Sequence, residues 1–186
     1  MKVLSLALFL MLSILSSYTQ HAYAGKESDE ILERQVKSAY IFKFGNYITW
    51  PDNVFTDATS PIIIGVVEDD SVAGELERVA AAGNLTGNRP VVIKKLQAND
   101  MSIDVHILYV SSNADKIISA YQNTHLQSAT LYITNVEKGL STGSVINFVQ
   151  DNNRLRFDVS LPAAEYNKIK LDASLLTVAR QVINTN

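Results

Sequence analysis

The stretch Pro61-Ile62-Ile63-Ile64-Gly65-Val66-Val67-Glu68-Asp69-Asp70-Ser71-Val72 decides the fold. Its apolar, β-branched run from Ile62 to Val67 has the length and composition of a buried strand. Acidic and hydroxyl residues then open a helical segment, Val72 to Ala82, which ends at Gly83. The same kinds of run recur at Val91–Ile93, Val105–Val110 and Leu131–Thr134, with a second helical segment from Ala114 to Asn123 entered through Ser111 or Ser112. Strand and helix alternate, which calls for an α/β sheet, mostly parallel or mixed, of five to six strands flanked by helices. One connection is short for that scheme. A parallel crossover usually takes a dozen or more residues, so Leu96–Asp104 calls for a single helical turn or one antiparallel strand.

Upstream, Ser28 has the character of an N-cap, and Asp29 and Glu30 suit the positive end of a helix running to about Tyr47. Leu32, Val36, Tyr40, Phe44 and Tyr47 form one apolar stripe, and Pro51 closes the segment. Ile41 and Phe42 put apolar groups on further faces, as in a helix that is deeply buried or covered by a second chain. Downstream, Val145–Gln150 and Leu155–Ser160 read as a β-hairpin joined by Asp151-Asn152-Asn153. In its second strand Leu155, Phe157 and Val159 alternate with Arg154, Arg156, Asp158 and Ser160, giving one buried and one polar face. Two short helices, Pro162–Asn167 and Ala173–Ile183, complete the chain.

The first 24 residues have the parts of a cleavable signal peptide: Lys2, an apolar run from Val3 to Leu15, and the small-residue exit Ala22-Tyr23-Ala24. That run is too short to span a bilayer as a helix, which takes roughly 20 residues. Removing residues 1–24 from the 186 leaves 162, a single domain over 25–186, and changes the net charge from −3 to −4 because Lys2 is the only charge lost. The chain has no cysteine, which excludes disulfides, thiol nucleophiles and zinc-thiolate sites. A sequence pI near 5.6 without a dense basic cluster argues against nucleic acid or anionic lipid as a partner.

No catalytic constellation emerges. The mature chain has two histidines, His106 and His125; His106 sits within a strand, where a lone histidine without an orienting partner is more often a hydrogen-bonded core or edge residue than a base. G-x-S-x-G, G-x-G-x-x-G and P-loop patterns are absent. Glu68-Asp69-Asp70 lies where α/β folds place ligand sites, but the stronger reading is that Asp70 or Ser71 caps the next helix and the acids favour its positive end. Asn84-Leu85-Thr86 matches a glycosylation acceptor, relevant only to a eukaryotic secretory route. A small-solute module with a crevice near Glu68 and Ser111 is the alternative reading.

Two stretches resemble the YfiR family: Val36-Lys37-Ser38-Ala39-Tyr40-Ile41-Phe42-Lys43-Phe44 through Ile48-Thr49-Trp50-Pro51, and Gly143-Ser144-Val145-Ile146-Asn147-Phe148-Val149 through Arg156-Phe157-Asp158-Val159. The second continues into Leu161-Pro162-Ala163-Ala164 and Ile169-Lys170-Leu171-Asp172-Ala173-Ser174-Leu175-Leu176, similar to the family's C-terminal pattern. The resemblance implies a periplasmic, non-enzymatic regulator that binds the sensor region of an inner-membrane diguanylate cyclase and keeps cyclic di-GMP low. It also implies capture by an OmpA-like outer-membrane lipoprotein and a tendency to form homodimers. The cysteine pairs of some relatives have no counterpart here. No cofactor or metal is implied. The residues expected to contact a partner are Arg154, Arg156 and Asp158 on the polar strand face, Phe148 as an anchor, and Tyr40 and Phe44 on the first helix, because aromatic and Arg side chains most often carry interface energy.

Overall fold

The computed structural model describes residues 27–83, 89–100, 102–126 and 128–184. The signal-peptide segment and Asn84-Leu85-Thr86 lie outside the described residues. Helix α1 covers 27–44 and tightens into a 3-10 turn at Gly45–Tyr47 before the two-residue strand β1, Ile48–Thr49. The helix thus already includes Ser28, which is not its cap, and the chain becomes extended before Pro51. Then follow β2 (Ile62–Val67), α2 (Asp70–Ala82), β3 (Val91–Leu96), β4 (Ile107–Val110), α3 (Ala114–Thr124) and β5 (Leu131–Thr134). The last third contains β6 (Ile146–Asp151), β7 (Arg154–Ser160), α4 (Leu161–Tyr166), β8 (Lys170–Leu171), α5 (Ala173–Val178) and β9 (Gln181–Ile183).

Seven strands form one mixed sheet in the order β3-β2-β4-β5-β6-β7-β9, one strand wider than expected. The first five are parallel, β7 runs antiparallel to β6, and β9 runs parallel to β7. The additional strand comes from the expected helix Ala173–Ile183. That helix ends at Val178, Ala179 turns extended, and Arg180 N–H donates to Phe157 O at 2.8 Å, so the β-branched pair Val182-Ile183 joins the sheet edge. At the hairpin turn Asn152 and Asn153 have φ of 49° and 58°, the left-handed pair that a tight two-residue turn requires.

Strand alternation sorts the core into two layers. Ile107 and Tyr109 of β4 face the layer containing α1 and α2, while Leu108 and Val110 face α3. The connection from β3 to β4 crosses β2 on the α3 side. Among its described residues it forms neither helix nor strand, contrary to both expectations. Instead the Tyr121 hydroxyl pins it, donating to Ile103 O at 2.9 Å and accepting from Val105 N–H at 2.8 Å. Burial raises the pKa of that phenol to about 12, so it stays a donor. Asp69, rather than Asp70 or Ser71, caps α2, accepting from Val72 N–H at 3.1 Å, and Asn113 rather than Ser111 or Ser112 precedes α3.

Behind β5 and β6 lies a buried uncharged network. Thr134 Oγ1 donates to Asn147 Oδ1 at 2.8 Å and sits 2.9 Å from Ser144 Oγ, which donates to Gly139 O at 2.8 Å. A Cβ on Gly139 would overlap Asn147 Oδ1 and Thr134 Oγ1. Gly139→Ala should therefore lower stability by about 1–3 kcal/mol in urea unfolding, the usual cost of overpacking. Gly74, exposed within α2 with nothing near its absent Cβ, supplies the contrast: Gly74→Ala should gain about 0.5–1 kcal/mol. Equal effects at the two sites would contradict this account of Gly139.

Candidate partner-binding surface

An open groove of about 710 Å³ runs between the first half of α1 and the tip of the β6–β7 hairpin. Asp29, Leu32, Glu33 and Val36 form the helix wall, and Gln150, Asn153, Arg154 and Leu155 form the hairpin wall. Glu33 joins the two walls. Its carboxylate accepts from Gln150 Nε2 at 2.7 Å and pairs with Lys37 Nζ at 3.1 Å, and the Lys37 side chain is nearly buried. Beneath the C-terminal half of α1 four rings meet. Phe44 lies 5.0 Å from Phe157 and 5.9 Å from Phe148, while Tyr40 lies 5.7 Å from Phe157 and 5.8 Å from Phe44.

The six residues expected at a partner surface therefore separate. Tyr40, Phe44 and Phe148 are brought together, but as core: Phe148 is only 2% exposed and Phe44 is buried, so neither presents an anchor in this conformation. Arg154 stands exposed at the groove rim. Arg156 is half-buried and reaches Val178 O at 3.4 Å. Asp158, expected on an outward polar face, is only 6% exposed. The cause is β9, which pairs with β7 and lets Arg180 close over Asp158 in a two-point ion pair, Nε to Oδ1 at 2.8 Å and Nη2 to Oδ2.

The exposed apolar residues of the groove's helix wall, Leu32 and Val36, belong to the same stripe as the buried Phe44. Leu32 is 59% exposed, and Ile31 and Val36 are also exposed. A spacing of four residues turns by about 400°, so the stripe drifts roughly 40° per step around a helix of 3.6 residues per turn. Over the three steps from Leu32 to Phe44 the drift is about 120°, which takes the first residues off the sheet while the last stay on it. Strict periodicity was the available signal.

At the point where strand order reverses, between β2 and β4, Glu68 has a φ of 53° and the Asp69 carboxylate is taken up by the α2 cap. The acidic run thus has the structural role the sequence allowed. His106 lies at the opposite, N-terminal end of the parallel strands, just before β4 and beside Trp50 and Phe55.

The YfiR/HmsC-like family pattern matches residues 34–180, from the middle of α1 to Arg180. The chain belongs to the YfiR/HmsC-like family. It is a regulatory family, and the match spans the α1 ring cluster, the hairpin, β8 and helices α4 and α5. No curated protein matches the chain. Two solved structures are similar at low identity. One is a conserved domain protein from Vibrio cholerae O1 biovar El Tor, 14% identical with a TM-score of 0.48, covering 65% of this chain and 54% of that one. The other is the ABC domain in complex with L-Trp from Streptococcus pneumonia, 10% identical with a TM-score of 0.48, covering 65% and 55%. The chain thus spans about half the length of each. Among the described residues of this YfiR/HmsC-like chain no helix is long and apolar enough to cross a membrane.

Arg180 and Arg156 separate structure from surface in one measurement. Arg180→Ala leaves the Asp158 carboxylate buried without its partner and should cost about 1–3 kcal/mol in urea unfolding. Arg156→Ala removes one contact at the limit of hydrogen-bond length and should stay within about 0.5 kcal/mol. Comparable losses from the two would reduce the Asp158 pair to a surface ornament.

Proposed function

We propose that this protein is an exported periplasmic regulator that binds the sensor region of an inner-membrane diguanylate cyclase and holds it inactive through the α1–hairpin groove. The observation that carries the reading is the family match over residues 34–180. The groove supplies a surface of the right kind: exposed Leu32 and Val36 offer apolar contact, while Asp29 and Arg154 on opposite walls orient a partner by charge. No bond is made or broken in this mechanism. Preferring the inactive conformation of the cyclase by 1–3 kcal/mol of coupling changes signalling about 5- to 150-fold. Capture by an OmpA-like lipoprotein would compete for the regulator and release the cyclase, and a homodimer would present the surface twice. Residues 1–24 give the address by acting as a cleaved export signal.

Deleting the gene should raise cyclic di-GMP only in cells that contain the cognate cyclase. Complementation with wild type should reverse the rise, whereas Leu32→Asp should not, although its melting temperature stays close to wild type because Leu32 is exposed. Arg154→Glu should weaken co-purification with the cyclase sensor region in the same way. Unchanged cyclic di-GMP in the deletion would refute the regulator reading for this chain. A ligand-dependent rise in melting temperature without any effect on the cyclase would favour the small-solute module instead.

A further inference from the structure

Trp50 is the chain's single tryptophan, and it opens the segment of residues 50–60 that leads from β1 to β2. The segment has little regular structure, only a 3-10 turn at Asp52–Val54, so side chains have to hold it. Two groups from outside the segment do so. Arg89 Nη1 donates to the carbonyls of Asp57 and Ser60, both at 2.9 Å, and its guanidinium carbon lies 4.0 Å from the Phe55 ring centroid. His106 stacks on Phe55, with centroids 4.7 Å apart and planes 9° from parallel, while Trp50 meets the imidazole edge-on at 6.2 Å.

The imidazole is also part of the sheet. His106 N–H donates to Ile63 O at 2.9 Å, and its Nδ1 accepts from Ile63 N–H at 3.0 Å, so the side chain supplies an acceptor that the ladder lacks. That bond requires Nδ1 to be unprotonated, which puts the neutral ring's proton on Nε2. A second proton would set donor against donor at Ile63 and add positive charge to a stack that already faces Arg89. The other charged neighbours do little to relieve this. Asp104 attracts the ring, but its side chain is 81% exposed and already engaged by His125 Nδ1 at 2.6 Å. Within the segment, the Asp57 carboxylate is held by Thr59 N–H and Oγ1, and Asp52 is exposed. Ser128 and Ala129, which line a 280 Å³ cavity with His106, bring no charge.

We propose that His106 is an acid-operated latch: protonation at Nδ1 breaks its bond to Ile63 and releases residues 50–60 from the end of the sheet. The direction of the linkage follows from burial first and Arg89 second, which together hold the imidazole pKa below its ordinary value against the pull of Asp104. The fold favours the neutral ring, so the stability it contributes is complete above the unfolded-state pKa of about 6.5 and is lost as pH falls from there toward the folded value. Trp50 Nε1, buried and without a partner among the described residues, gains water when the segment opens. The latch rests on the fold alone and is independent of the partner proposed above.

Because the chain has one indole, the emission of Trp50 in the purified protein reads the latch directly. Between pH 8 and 4 it should show a reversible red shift with a midpoint below about 6.5, while far-ultraviolet circular dichroism stays native. His106→Asn keeps an acceptor for Ile63 N–H but cannot titrate, and it should abolish the shift, whereas His125→Gln should retain it. Absence of the shift in wild type, or its persistence in His106→Asn, would overturn the proposal. Should that variant fail to fold, nitrogen NMR of the wild-type imidazole decides: Nδ1 must be the unprotonated nitrogen at pH 8, and the opposite tautomer rules the latch out.

Discussion

The rings of Tyr40 and Phe44 lie against those of Phe148 and Phe157, and this contact seats the first helix on the last hairpin. The sheet could form its parallel half from residues 62–134, but the layer over β6 and β7 is built from chain more than a hundred residues upstream. Glu33 and Gln150, separated by 117 residues, tighten the same junction at its exposed end. The groove exists because of this arrangement: the rings fix the C-terminal half of α1, while the N-terminal half projects past the hairpin and leaves Leu32 and Val36 uncovered.

The parallel part of the sheet was legible because each strand carries its own signal. Runs such as Leu131–Thr134, buried at every position, need no knowledge of their neighbours to be recognised. The hairpin was legible for a similar reason, since Asn152-Asn153 encodes its turn locally. What failed was everything decided by a distant partner. Gln181–Ile183 is too short to announce itself as a strand, and only the open edge of β7 makes it one. Asp158 looked outward-facing because strand alternation cannot reveal that another strand will cover that edge, bringing Arg180 with it. The family was legible because its motifs fall on the seams, from 36 to 51 and from 143 to 176.

Two of the aromatic candidates are core in this structure. Phe148 and Phe44 attracted attention as aromatics, yet aromatic rings that find one another become core before they become anchors. The residues left exposed are plain aliphatics whose position follows from helix geometry. His106, expected as a hydrogen-bonded core or edge residue rather than a base, is hydrogen-bonded. Its partner is the backbone N–H of Ile63, which no side-chain pattern can display.

The pairing of β1 with β8, Ile48 against Leu171 and Thr49 against Lys170, bears on how the chain reaches this state. Strand contacts between such distant segments close a very long loop, and the entropy of that closure is spent before any contact compensates it. Helix α1 precedes in sequence both of the segments that hold it, the hairpin and β8, and cannot be seated without them. Without residues 146–157 the rings of Tyr40 and Phe44 lack the aromatic partners they pack on, so the first helix and the last hairpin have to be placed together.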